Sequence, residues 1–154
     1  MSPESSQPDP LIRFEDEHHH ALGELERLER AAEGLEDGQD PAEHLETMRQ
    51  IHTFLSTAVR EHNENEERAL FPLLGDDAPT GVFVDEHVQL RDLEHKLSTA
   101  LDGQHPVVEA TVIAHALVDL LRAHIDREDH VLFPMARQLL GNEGLAAVAR
   151  ILSK

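Results

Sequence analysis

Two stretches of this sequence place a histidine one helical turn before a glutamate: residues 62–72 read HNENEERALFP and residues 124–134 read HIDREDHVLFP. Residues four apart share a helix face, so His62 with Glu66, and His124 with Glu128, each aim an imidazole and a carboxylate at one place. Those are donor types that iron and manganese accept in octahedral surroundings, whereas structural zinc favours four ligands and thiolate. The acid after each Glu and the Leu-Phe-Pro that closes each stretch mark an internal repeat. A second matching element lies upstream of each, DEH at Asp16-Glu17-His18 and again at Asp85-Glu86-His87.

These residues can act together only if helices bring them together. Apolar residues recur at helical spacing almost throughout, and no segment alternates with a period of two, which predicts an all-α chain. Breaks at GLEDGQDP, GDDAPTG, DGQHP and Gly141-Asn142 divide it into helices near 11–34, 41–74, 82–101 and 106–140, with a short fifth near 143–152. Asp40 suits the N-cap of the second helix and Pro41 its first position. Long helices joined by short loops pack antiparallel, so the expected fold is an up-down-up-down four-helix bundle with a short C-terminal fifth helix. Residues 1–10 are expected to be a disordered leader and 11–154 the bundle domain.

The apolar stripes decide which of the 12 histidines converge. His18 lies on the line Leu11, Phe14, Leu22, Leu25, and His87 on the line Phe83, Leu90, Leu97. The second helix aligns Met48, Leu55, Val59, His62, Glu66 and then Leu70 or Leu73; the fourth aligns Leu117, Leu121, His124, Glu128, Leu132 and Met135. One inward histidine is ordinary in a core, but one from each helix with two carboxylates would cost several kcal/mol per unpaired group unless a metal takes them as ligands. Two carboxylates able to span a pair of ions favour a di-iron centre. A ferritin-like site would need Glu-x-x-His on two helices, yet Val59, Val84 and Leu121 precede His62, His87 and His124 by three, and only Glu15-x-x-His18 fits. The first-helix triplet His18-His19-His20 could instead form a surface metal tract, while His52 and His95 are expected to face partly inward, two to three turns from the ligand layer.

Bulk composition narrows the function classes. With 31 acidic residues against 13 Lys plus Arg, the net charge of -18 repels nucleic acid and anionic membrane surfaces. No Cys, Tyr or Trp is present, which removes thiolate chemistry, iron–sulfur clusters and tyrosyl radicals. No stretch is long and apolar enough to cross a bilayer, and the opening MSPESSQPDP lacks the features of a signal peptide, so a cytoplasmic location is expected.

Over residues 11–140 the paired H-x-x-x-E elements, each followed by Leu-Phe-Pro and preceded by its DEH, resemble the hemerythrin-like, or HHE cation-binding, family. The resemblance implies metal ligands His18, His62, Glu66, His87, His124 and Glu128, both Glu bridging two non-haem iron ions that also share an oxo or hydroxo bridge, with manganese or zinc as substitutes. Two departures from the oxygen-carrying members matter. Those members have a second His one turn after the first on the third helix, where this chain has Arg91; their Asp lies five residues after the last His, where Asp129 stands, so Asp129 competes with Glu128 as the ligand. Repeat symmetry with Glu66 favours Glu128. Two octahedral irons offer about twelve positions, of which this set and the bridge fill about ten. The expected function is binding of dioxygen, peroxide or nitric oxide, with catalase-like turnover as a further expectation. The other readings are iron sensing, storage or delivery, in which metal occupancy orders the bundle, and a metal-free helical module, which would leave six polar core groups unexplained.

Overall fold

The structure, a computed structural model, describes residues 9–154 and contains helices and no strands among them. Helix α1 spans Pro10–Glu36. Its N-cap is Asp9, whose carboxylate accepts the Leu11 N–H at 2.8 Å, and Pro10 occupies the first position, where its missing N–H goes unneeded. Most of the expected leader falls on residues outside those described; Asp9 and Pro10 belong to the helix start. Helix α2 runs over 41–74, capped by Asp40 through the Ala42 N–H with Pro41 first, as the sequence predicts. Helix α3 is Thr80–Leu101, starting two residues earlier than expected. Helix α4 covers 106–140, and α5 covers 142–152 after Gly141, whose φ of 61° is left-handed backbone that favours glycine.

The four long helices form an antiparallel bundle in which α1 packs on α2 and α4, and α3 packs on α2 and α4. Apolar stripes meet in two clusters. One, built on Leu25, Leu28, Met48, Ile51, Leu97 and Leu117, fills one end of the bundle. The other, built on Leu11, Phe14, Leu70, Phe83, Leu132 and Phe133, fills the other end, where α5 seats Val148 against it. Arg68 secures this end by donating to the Ile151 carbonyl at 2.7 Å, and Arg137 ties α4 to the start of α1 through Asp9 and Glu15.

Neither α2 nor α4 is α-helical throughout. Each opens into a π-helical turn at its core glutamate, Glu66–Leu70 and Glu128–Leu132, where the Phe71 N–H reaches the Glu66 carbonyl and the Phe133 N–H the Glu128 carbonyl. The Leu-Phe-Pro repeat supplies the cause. Pro72 and Pro134 donate no hydrogen bond, and their rings would strike the carbonyl four residues back; a wider turn relieves that clash without ending the helix. The turn also shifts the inward face. Ala69, Leu70 and Phe71 are all buried while Leu73 is exposed, and Phe133 and Ala136 take the core positions while Met135 is only partly covered.

Candidate metal centre

Between the two apolar clusters lies a polar layer, and the helices place all six sequence-predicted residues in it. His18 comes from α1, His62 and Glu66 from α2, His87 from α3, and His124 and Glu128 from α4, all buried and both Glu fully so. They fall into two groups, His18, His62, Glu66, Glu128 and Glu66, His87, His124, Glu128, each offering one donor atom per residue within 4.8 Å of the others. Glu66 and Glu128 therefore belong to both. The Glu66 carboxylate lies 3.3 Å from His62 Nε2 and 3.2 Å from His87 Nε2, and Glu128 lies 2.9 Å from His18 Nε2 and 3.5 Å from His124 Nε2.

Those contacts are close without being hydrogen bonds. The Nε2 atom of each of the four histidines and both oxygens of both glutamates are buried with no hydrogen-bond partner among the described residues. A buried polar atom left unpaired costs about 1–3 kcal/mol, more when charged, so a native core does not gather this many without a purpose. Imidazole nitrogens and carboxylate oxygens converging with no hydrogen bond formed between them are the donor set of a metal pair, and the residues present fit one.

Why every Nε2 points inward is settled on the far side of each ring. His18 Nδ1 pairs with Asp129 at 2.7 Å, His62 Nδ1 with Glu17 at 2.8 Å, His87 Nδ1 with Glu67 at 2.6 Å and His124 Nδ1 with Glu86 at 2.8 Å. An N–H donated from Nδ1 to a carboxylate leaves the Nε2 lone pair free and raises its donor strength. Asp129 is thus occupied in orienting His18, and it is Glu128 that faces the centre. Glu86 also meets Arg127, so one of the four carboxylates is partly neutralised. Sequence reasoning missed this ring. Its signal was an acid immediately before each core His in α1 and α3, and immediately after each core Glu in α2 and α4.

The aromatic surroundings obey the same repeat. Phe14 meets the His62 ring edge-on at 5.1 Å and Phe83 meets His124 edge-on at 5.6 Å, while Phe133 stacks on His18 and Phe71 on His87. Of the other histidines, His19 and His20 are exposed on α1, and His52 is half-buried and bonds Glu94 at 3.1 Å. His95 is exposed, contrary to the expectation that it faces partly inward: its neighbour Glu94 takes the inward position, paired with Arg60 and His52.

Charge balance at the centre is sensitive to pH. Burial opposes the charged form of His62, but Glu66, Glu128 and Glu17 outweigh it and hold its pKa well above the usual 6.5; His18 and His87 are raised in the same way by Glu128 and Glu66. Burial likewise opposes ionisation of Glu66, yet His62 and His87 depress its pKa far below the carboxylate range. A raised histidine pKa stabilises the fold fully below the unfolded value of 6.5 and loses that contribution as pH rises through the folded value. The melting temperature of metal-free protein is therefore expected to fall from about pH 6 to about pH 9. Thermal melts across that range check it, and a flat or rising profile contradicts it.

No curated protein matches the chain. The sequence pattern of the hemerythrin HHE cation binding domain matches residues 9–136, which holds all six residues of the polar layer, every carboxylate behind them and both Leu-Phe-Pro turns. The chain belongs to the hemerythrin HHE cation-binding domain family.

Proposed function

We propose that this protein is a non-haem di-iron protein that takes up dioxygen or a related small ligand, with His18, His62, Glu66, His87, His124 and Glu128 as the metal ligands. The observation that carries the reading is the sharing of Glu66 and Glu128 between two buried histidine pairs. In that arrangement His18 and His62 hold one ion, His87 and His124 the other, and the two carboxylates serve both. Iron is favoured over zinc by the absence of thiolate and by an imidazole–carboxylate set suited to more than four ligands. When bound, the pair supplies redox-active Lewis-acid positions for a small ligand.

The protein's own contribution is access and exclusion. A cavity of about 110 Å³ lies beside the His18–His62 pair and also touches His124; Ala21, Phe54, Val59, Leu121 and Ile125 give it a mainly apolar wall. Such a space suits an uncharged ligand of a few atoms and disfavours bulk water. His20, exposed on α1 and with its ring 5.1 Å from that of Phe54, stands at the edge of this cavity.

Iron-loaded protein is expected to show near-ultraviolet and visible bands that change on adding dioxygen or hydrogen peroxide. Spectra unaffected by either would overturn the reading. Sustained peroxide consumption would separate turnover from binding. Loss of helicity at ambient temperature on chelation would favour iron sensing, since the unpaired set at the centre couples metal occupancy to folding.

A further inference from the structure

The metal layer is approached from a second side, and its chemistry differs from the first. A smaller cavity of about 20 Å³ lies at the seam of α2 and α3, where His87, Leu90 and Leu117 meet Asn63, Arg91 and Glu94. Space of that size holds about one water-sized group entirely, with any longer ligand extending to the mouth.

Its polar groups have unequal commitments. Glu94 accepts from Arg60 at 2.9 Å and lies 3.1 Å from His52, so its charge is already answered. Arg91 forms no ion pair and no side-chain hydrogen bond among the described residues, although the chain carries 31 acidic residues. It stands on α3 one turn after His87. Asn63, next to His62 on α2, is only 8% exposed, lines both this cavity and the apolar one, and makes no side-chain hydrogen bond among the described residues. An exposed, unpaired guanidinium and an uncommitted amide thus line one small space that ends on a histidine of the centre. A guanidinium offers fixed N–H donors to an anion and cannot lose its charge at neutral pH.

We propose that this cavity is an anion site: it admits a small monoanion of about two or three atoms, its inner end beside His87 and its outer end paired with the Arg91 guanidinium, with the Asn63 amide as a second donor. The site rests on the di-metal reading above and gives the centre two entrances, an apolar one at the His18–His62 pair for uncharged ligands and a cationic one at His87 for anions. It also assigns a task to Arg91. In a chain with a net charge of -18, long-range electrostatics repels anions, so a local cation held free beside the centre favours their approach there.

Azide and nitric oxide serve as the anionic and neutral probes. Wild-type, Arg91→Leu, Arg91→Lys and Asn63→Ala proteins are loaded with iron, their metal content is measured, and azide affinity and nitric oxide uptake are then followed by absorption. Metal content is expected to be the same in all four. Azide should bind wild type, bind Arg91→Leu about tenfold or more weakly, equivalent to one charge-assisted contact, and recover most of its affinity in Arg91→Lys. Asn63→Ala should weaken azide by a smaller factor, and nitric oxide uptake should not change in the Arg91 variants. Metal-loaded wild type that does not bind azide, or Arg91→Leu that binds it as wild type does, overturns the anion site alone. Wild-type protein that retains no metal overturns the di-metal reading and the anion site together.

Discussion

Glu128→Ala is expected to release both metal ions, whereas His18→Ala is expected to release mainly one. The difference follows from sharing: Glu128 belongs to both donor groups and His18 to one. Changes to the partners behind metal ligands lower affinity by about 10–100-fold, and loss of a ligand that serves two ions should exceed that for each. After exhaustive dialysis of iron-loaded protein, metal analysis should find well under about one ion per chain in Glu128→Ala and about one in His18→Ala. Asp129→Asn is expected to give the complementary result, an affinity loss within about 10–100-fold, because Asp129 meets the outer nitrogen of the His18 ring at 2.7 Å. Circular dichroism of the metal-free variants controls for folding. Retention of about two ions by Glu128→Ala would move the shared position elsewhere, with Asp129 the first alternative.

Removing the metal is expected to lower the melting temperature by more than about 10 °C while leaving the protein helical at ambient temperature. Each ion held at roughly a thousandfold above its dissociation constant stabilises the fold by about 4 kcal/mol, and in a chain of this size 1 kcal/mol corresponds to about 2–4 °C. The retained helicity follows from the two apolar clusters on either side of the layer, which stay packed when the layer is empty of charge compensation. Differential scanning calorimetry before and after chelation reads the shift. An unchanged melting temperature would mean that the buried unpaired atoms at the centre are satisfied in some other way.

The inward residues were legible in the sequence because a helical period of 3.6 and an internal repeat constrain the same positions twice. His62, Glu66, His124 and Glu128 lie on apolar stripes and also occupy equivalent places in the two halves. What periodicity could not give was the phase beyond Glu66 and Glu128. A π-helical turn departs from the 3.6 period, which is why Leu70 rather than Leu73, and Ala136 rather than Met135, reaches the core. The two prolines forecast a disturbance but not its form, since a proline can kink, end or widen a helix. Asp129 was seen only as a rival ligand, because its bond to His18 spans 111 residues and depends on how α4 sits against α1. Glu94 and His95 show the limit of stripe-reading at a helix edge, where a small rotation selects the neighbour and Arg60 on the facing helix decides between them.

In the proposed centre one set of six side chains holds two ions. Crystals of iron-loaded protein measured at the iron absorption edge test it most directly. Two anomalous peaks are predicted, one between His18 and His62 and one between His87 and His124, with both Glu66 and Glu128 against each. A single peak, no peak in the polar layer, or iron only at exposed histidines such as His19 and His20 would contradict it.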